Sequence, residues 1–223
     1  MAYRIVPCDD SGPLSDIWHT RALGASVAEI ILKGRNRWMD EHKLWRYIRG
    51  DIERDPMSDA AQEGLDCEPR ICELWEKATG RQYQSVNVID GEYDFLRAQI
   101  DGLSWDLGHA VDYKTSRSQT VWKAAEKLAG TRNFIMADGP LNYWFFAAQH
   151  QLMILGLPYI DYVLYDPARD RILPFVVKRD EEHIKQYRGM TMGWWFQHVV
   201  SDQPPPRNRK LKVVMDEVNA NGL

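Results

Sequence analysis

The stretch from residue 86 to residue 114 constrains the fold more than any other part of this chain. It consists of short runs of alternating apolar and polar residues, separated by the turn-forming sequences Asp90-Gly91 and Asp106-Leu107-Gly108. Alternation with a period of two residues, interrupted by Asp-Gly, is typical of strands joined by hairpins. We therefore place the middle of a β-sheet in this stretch.

Helical patterns precede the strands. Ser26-Val27-Ala28-Glu29 matches a capping box, in which the serine hydroxyl and the glutamate carboxylate accept hydrogen bonds from free amides, and this predicts a helix starting at Ser26. A second helix is predicted from about Pro69, where proline suits a first helical position, to Gly80, which suits a helix end.

Further elements follow the strands. Helices are predicted at 121–128 and 142–155, a hairpin is predicted from strands 159–165 and 172–177, and Asp180 is predicted to start a last helix. This order predicts an α/β (α+β) domain over residues 1–203, with a central mixed β-sheet flanked by helices. Pro204-Pro205-Pro206 and the basic residues after it mark residues 204–223 as a tail.

Composition excludes several classes of protein. The 223 residues include 28 Lys plus Arg and 32 Asp plus Glu, so the net charge of −4 is not that of a broadly basic nucleic-acid binder. No apolar run approaches the roughly 20 residues that span a bilayer, and we expect no membrane partner. Three cysteines without a C-x-x-C pair, and no export signal, lead us to expect a cytoplasmic protein.

Two carboxylates and a lysine are predicted to converge on one face of the sheet. If the hairpin turns near Asp106 and Leu107, Asp101 lies opposite Asp112, and Lys114 projects to the same face as Asp112. Carboxylate oxygens suit Mg²⁺, which takes one or two protein carboxylates and leaves room for a substrate phosphate. On spacing alone, an exposed Asp112–Lys114 ion pair is an equally good interpretation.

The wider pattern decides between these two interpretations, because the chain resembles the phage-type alkaline exonucleases. These are the lambda exonuclease and YqaJ-like viral recombinase group of the PD-(D/E)xK nuclease superfamily. The resemblance covers about 160 residues and is carried, in order, by Trp18-His19-Thr20-Arg21, Gly24-Ala25-Ser26, Gly64, Glu68, Leu74 to Gly80, Asp101-Gly102-Leu103, Asp112-Tyr113-Lys114, Ala148-Gln149-His150-Gln151, Tyr165 to Arg169 and Val177 to Asp180.

Three positions depart from the family pattern. Ile100 stands where the superfamily usually has proline, and Asp112 stands where it often has glutamate. The gap between Trp18 and Arg21 is one residue shorter than usual.

The resemblance implies a restriction-endonuclease-like core and a set of catalytic roles. Asp101, Asp112 and the carbonyl of Tyr113 would hold Mg²⁺, or Mn²⁺ in its place, and Lys114 would act on the attacking water. Glu68 would complete the acidic cluster, through a possible second metal ion, although on its own it suits a helix start. Gln149 would border the site, although it would also suit a polar position beside an apolar helix face.

The resemblance also implies a DNA substrate. Arg21, Ser26 and Arg117 would receive a terminal 5′-phosphate, although Ser26 also suits a simple helix cap. Lys33, Arg35 and Arg37, around Trp38, suit either duplex phosphates or a solvated loop, and we expect the tryptophans to serve mainly as core and interface anchors.

We therefore expect a Mg²⁺-dependent exonuclease that degrades one strand of linear double-stranded DNA from its 5′ end, in phage-type recombination. The family implies a homotrimer and a single-strand annealing protein as partner. Two alternatives stay open, an endonuclease of the same superfamily and a catalytically silent DNA-binding module. An iron–sulfur nuclease is disfavoured, because it usually needs four cysteines.

Overall fold

A six-stranded mixed sheet forms the centre of the molecule. The structure is a computed structural model and describes residues 3–6, 21–36, 38–53, 55–131 and 139–207. The strands are β1 (Tyr3–Val6), β2 (Tyr83–Asp90), β3 (Arg97–Ser104), β4 (Ala110–Thr115), β5 (Tyr159–Asp166) and β6 (Arg171–Lys178). They lie in sequence order, and all neighbours are antiparallel except β4 and β5, which are parallel.

Six helices flank this sheet. They are α1 (Ala28–Lys33), α2 (Glu41–Ile48), α3 (Asp59–Thr79), α4 (Gln119–Thr131), α5 (Asn142–Leu155) and α6 (Glu181–Trp194). A 3₁₀ turn, Ala25–Val27, precedes α1, and a π-helical turn, Trp195–Val200, follows α6. No helix in the described parts of the chain is both long and apolar enough to cross a membrane.

Two hydrophobic clusters hold the helices on the sheet. The larger one packs α5 against it, and Phe145, Leu152, Ile100 and Tyr162 are among its buried residues. The smaller one packs Ile71 and Trp75 of α3 against side chains of the central strands, namely Tyr83, Val111, Tyr113, Val163 and Tyr165. Each cluster buries large apolar side chains, which is the main favourable contribution to folding.

The prediction of an α/β domain with a central mixed sheet flanked by helices is therefore confirmed. All three predicted hairpins form, namely β2 with β3, β3 with β4 and β5 with β6. Helix α5 spans the predicted residues, and Asp180 caps α6 by accepting a hydrogen bond from the amide of His183. Gly80 ends α3 in the left-handed conformation that glycine adopts easily.

Two predicted helix starts are wrong. Ser26 lies inside the 3₁₀ turn and α1 begins at Ala28, with no side-chain cap at either start. Helix α3 begins at Asp59, where Ser58 accepts a hydrogen bond from the amide of Ala61. Pro69 is therefore an interior residue, which gives up one main-chain hydrogen bond. The sequence pattern does not predict the first half of α3, because the two buried residues of this helix, Ile71 and Trp75, both follow Pro69.

The predicted tail starts on the body of the protein. Pro205 is buried, and Nε of Arg207 donates a hydrogen bond to Nε2 of His42 at 3.3 Å. Residues 208–223 and the predicted family motif at Trp18, His19 and Thr20 lie outside the described residues. The domain boundary at residue 203 stays a prediction.

Candidate active site

The two predicted acids meet where β3 and β4 separate. The pairs Gly102 with Val111 and Leu103 with Ala110 have the register predicted from the hairpin. Beyond them the main-chain ladder stops, and the amide of Tyr113 donates a 2.8 Å hydrogen bond to Oδ2 of Asp101 instead. The Asp101 carboxylate therefore replaces a main-chain carbonyl as the acceptor for the Tyr113 amide. Asp101 thus lies beside Tyr113, the residue that follows Asp112.

Gly102 allows the close approach of these strands. A Cβ atom at this position would lie 2.5 Å from Cγ1 of Val111 and 3.0 Å from the hydroxyl oxygen of Tyr113. The first distance is shorter than a carbon–carbon contact allows. A side chain at residue 102 would therefore push β3 away from the strand that carries Asp112 and Lys114.

Lys114 brings a positive charge to the acids. Its ammonium forms an ion pair with Oδ1 of Asp112 and donates a 3.2 Å hydrogen bond to the carbonyl of Tyr113. It also lies 5.4 Å from the centre of the Tyr162 ring on β5. Asp112 is only 4% exposed, whereas the side chain of Lys114 is 25% exposed, so this is a partly buried pair and not the exposed surface pair that spacing alone allowed.

The electrostatics reflect an excess of negative charge. Burial raises the pKa of Asp101 well above its usual value, and the nearby charges of Asp112 and Glu68 raise it further. Burial would lower the pKa of Lys114, but the carboxylates of Asp112 and Asp101 outweigh burial and raise it. The carboxylates of Asp112 and Asp101 act on one ammonium, and Glu68 adds a third negative charge near Asp101, so a further cation would be stabilised here.

Glu68 approaches the acids from α3, on the face of the sheet that carries the smaller cluster. It is half-buried, near the middle of the helix, one turn before Ile71. The interpretation of Glu68 as an acid at a helix start is therefore wrong, because nine residues of α3 precede it. Its charge is close enough to contribute to the raised pKa of Asp101.

The structure brings Gln151, and not Gln149, to the acids. Nε2 of Gln151 donates a 2.8 Å hydrogen bond to Oδ2 of Asp112. Gln149 instead spans the junction between β6 and α6, where it donates to the carbonyl of Lys178 and accepts from the amide of Asp180. Residues two positions apart point to different sides of a helix. Gln149 therefore lies on the predicted helix, but its side chain contacts the β6–α6 junction and not the acids. Gln151 belongs to the same motif, Ala148-Gln149-His150-Gln151, but the family resemblance implies no role for it.

The donors around Asp112 suit a hard divalent cation. Among the described residues, no group of three or more His, Cys, Asp or Glu side chains is arranged as a ready metal site. Two carboxylates, Asp101 and Asp112, and the Tyr113 carbonyl nevertheless supply oxygen donors, the kind that would hold Mg²⁺ with water completing its coordination. The Lys114 ammonium already contacts two of these three groups, which shows that they accept positive charge.

The predicted phosphate ligands lie on separate elements. Arg21 and Ser26 are exposed, in the segment that joins β3 through a bridge between Leu23 and Leu96. Arg117 follows β4 and forms an ion pair with Glu63 of α3. The ion pair of Arg117 is therefore with α3. A phosphate pocket formed jointly by Arg21, Ser26 and Arg117 stays a prediction.

A cleft opens beside Arg117 at the end of β4. Its volume is about 490 Å³, and its lining includes four basic side chains and two acids, Arg117, Lys123, Arg169, Arg171, Glu126 and Asp166. Asp166 is buried and forms an ion pair with Arg169. Neither Asp112 nor Lys114 lines this cleft, so it is a second polar feature at the end of the same strand.

The fold has solved counterparts. It is similar to an alkaline exonuclease (LHK-Exo) from Laribacter hongkongensis, with a TM-score of 0.64, 16% identity, and coverage of 93% of this chain and 100% of that one. It is also similar to LHK-Exo in complex with dAMP, with a TM-score of 0.65, 17% identity, and coverage of 82% and 90%. The fold of this chain is that of the alkaline exonucleases.

A third solved structure agrees with this conclusion. A phage-related exonuclease from Haemophilus somnus 129PT matches with a TM-score of 0.55 and 14% identity over 85% of this chain and 100% of that one. No protein-family profile and no curated protein sequence matches the chain. The alkaline exonuclease fold is thus shared with proteins whose sequences have diverged widely.

Proposed function

We propose that this chain is a Mg²⁺-dependent exonuclease that degrades one strand of linear double-stranded DNA from 5′-phosphorylated ends. The observation that carries the proposal is the cluster of Asp101, Asp112 and Lys114, with Asp112 buried, at the point where β3 and β4 separate. The alkaline exonuclease fold supports it independently, since the similar solved structures bear the name exonuclease.

Each residue of the site has a part in this reaction. Asp101, Asp112 and the Tyr113 carbonyl would hold the metal ion, with Glu68 near enough to act through a second ion or a water molecule. When bound, Mg²⁺ would polarise the phosphate and lower the pKa of a water molecule. Lys114 would donate hydrogen bonds to the attacking water or to a phosphate oxygen, because its ammonium has three donors and is held beside Asp112.

Gln151 acts through Asp112. Its amide fixes one oxygen of that carboxylate, and a second contact, to the carbonyl of Gln99 at 3.3 Å, fixes the amide itself. Partners of this kind orient a metal ligand and are often needed for full activity. We therefore assign Gln151 a positioning role, which replaces the role predicted for Gln149.

The experiment uses linear duplex DNA labelled separately at each end, with 5′-phosphate or 5′-hydroxyl termini, with and without Mg²⁺. A closed circular duplex is digested in parallel. The proposal predicts stepwise, Mg²⁺-dependent loss from 5′-phosphorylated ends and an intact circle. Cleavage of the circle would instead identify an endonuclease, and DNA binding without cleavage would identify a catalytically silent module.

A further inference from the structure

An exposed tryptophan lies between α1 and α2. The side chain of Trp38 is 50% exposed. The Oδ1 atom of Asn36 accepts 2.9 Å hydrogen bonds from the amides of Trp38 and Met39, and the amide of Asn36 donates to the carbonyl of Met39. These three bonds tie Trp38 and Met39 to Asn36.

Contacts connect this indole to the candidate active site. The ring of Trp38 meets the ring of Tyr143 edge to face, with centres 5.4 Å apart. Tyr143 belongs to the first turn of α5, and its neighbour Trp144 accepts a 3.0 Å hydrogen bond through its carbonyl from the hydroxyl of Tyr162. The Tyr162 ring faces the ammonium of Lys114. A chain of contacts therefore links the indole to Lys114 of the acidic site.

We propose that Trp38, supported by Tyr143, is a stacking site for a nucleobase of the strand that is cut. This inference rests on the proposed function and adds a substrate contact to it. Every base has a flat π-face, so an exposed indole binds bases of any sequence. An exonuclease that proceeds along DNA needs such a sequence-independent contact close to the phosphate being cleaved.

The surroundings suit nucleic acid. Arg35 is exposed and lies three residues before Trp38, so it adds a positive charge to the same segment. This charge would attract a phosphate of the stacked strand.

Trp105 provides a matched control. It is 67% exposed and lies in the turn between β3 and β4, at the start of β4, whereas Lys114 lies near the end of that strand. Trp105→Ala removes an indole of similar exposure without touching the contacts of Tyr143. Neither substitution changes the net charge, so the salt dependence of DNA binding should stay the same in both variants.

The test measures fluorescence of 2-aminopurine placed in turn at each of the first three nucleotides of the 5′-phosphorylated strand. It is done in EDTA, so that binding is observed without cleavage. With wild-type protein, stacking should quench the fluorescence at one position. Trp38→Ala should abolish that quenching and weaken binding by roughly 5-fold to 150-fold. Trp38→Phe should retain most of the quenching, and Trp105→Ala should retain all of it.

A second measurement separates base stacking from contacts with the DNA backbone. An abasic nucleotide at the quenched position should weaken binding of the wild type, and Trp38→Ala should cause no further loss on that DNA. The inference is overturned if wild type quenches at no position, or if Trp38→Ala quenches normally. It is also overturned if Trp38→Ala changes only the oligomeric mass, because Trp38 would then be a contact between copies.

These outcomes are independent of cleavage. If quenching depends on Trp38 but the wild type does not cleave DNA with Mg²⁺, the stacking site stands and the proposed function fails. If the wild type cleaves but quenching does not depend on Trp38, the proposed function stands and the stacking site fails.

Discussion

At the scale of single residues, Asp112 is the point where the contacts of the site meet. One carboxylate oxygen faces Lys114 and the other accepts from Gln151, while Asp101 lies beside the next residue along β4. Burying this carboxylate is costly without such partners. Replacing one oxygen atom of Asp112 would therefore change the charge of the site, the orientation of this side chain and the binding of a cation together.

Asp112→Asn should abolish cleavage while leaving DNA binding largely intact. The substitution removes one negative charge from the proposed metal ligands, and metal stabilisation is worth several kcal/mol, so the rate should fall by at least about 100-fold. Initial rates on linear duplex, together with a binding titration, measure both effects.

Asp90→Asn is the matched control for a buried acid away from the site. Asp90 is also buried and pairs with Arg188, and it accepts from the amides of Glu92 and Tyr93. This variant should lose stability by about 1–3 kcal/mol but keep its activity below the melting temperature. Equal losses of activity in both variants would mean that Asp112 acts only through the fold.

Gln151→Ala and Gln149→Ala should have different consequences. Loss of Gln151 frees Asp112 to rotate, and the rate should fall by about 10-fold to 100-fold with a small change in melting temperature. Loss of Gln149 leaves the Lys178 carbonyl and the Asp180 amide without their partner, so stability should fall by about 1–3 kcal/mol with a smaller change in rate. Thermal unfolding and initial rates on the same preparations separate the two roles.

The residues of the acidic cluster could be predicted, and their exact contacts could not. Asp101, Asp112 and Lys114 follow from strand alternation and a hairpin register, which are fixed by short-range geometry. The difference between Gln149 and Gln151 depends on the rotation of α5 against the sheet, which no local pattern specifies. The catalytic roles stay proposals.

At the scale of elements, the approach of β3 to β4 positions the site. Gly102→Ala should destabilise the fold by about 1–3 kcal/mol, because the new Cβ would overlap Val111, and it should lower activity by displacing Asp101. Gly64→Ala is the control, since it lies inside α3 with no atom within 4 Å of the added Cβ. That variant should be more stable by about 0.5–1 kcal/mol. A destabilised Gly64→Ala would contradict the described course of α3.

Buried His150 should make the packing of α5 depend on pH. Burial lowers the pKa of His150 to about 4, while its ring nitrogens bond the Tyr187 hydroxyl and the Arg97 carbonyl. The unfolded chain binds a proton near pH 6.5, so stability should fall as pH decreases from about 6.5 to about 4. The loss is on the order of 3 kcal/mol.

Urea unfolding between pH 4 and pH 7 measures this dependence. His150→Gln should be less stable at pH 7 and should show a flatter slope over the same range, since it has no ionisable side chain at this position. An unchanged slope in the variant would show that other groups cause the pH dependence.

Elements were easier to predict where a local signal marks one of their ends. Gly156 closes α5 and Asp180 opens α6, and both signals act within one turn. Helix α3 was predicted ten residues too short because Pro69 resembles a helix start and the preceding turns have no apolar face. Tertiary packing of its second half, through Ile71 and Trp75, stabilises the whole helix.

At the scale of the whole molecule, the proposed function implies an assembly. The family resemblance implies a homotrimer, and light scattering after gel filtration should give three times the monomer mass. A monomer at concentrations where the enzyme is active would contradict this expectation. The predicted single-strand annealing partner can be tested by co-purification with the candidate protein in the presence and absence of DNA.

The measurement that tests the central claim most directly is Mg²⁺-titrated digestion of a linear duplex labelled at its 5′-phosphorylated end, by wild-type protein and by Asp112→Asn. The account predicts no release of label without Mg²⁺, release that rises to saturation in wild type, and at least a 100-fold lower rate in the variant. Digestion by wild type without a divalent cation, or a variant as active as wild type, would contradict the assignment of Asp101, Asp112 and Lys114 as the nuclease site.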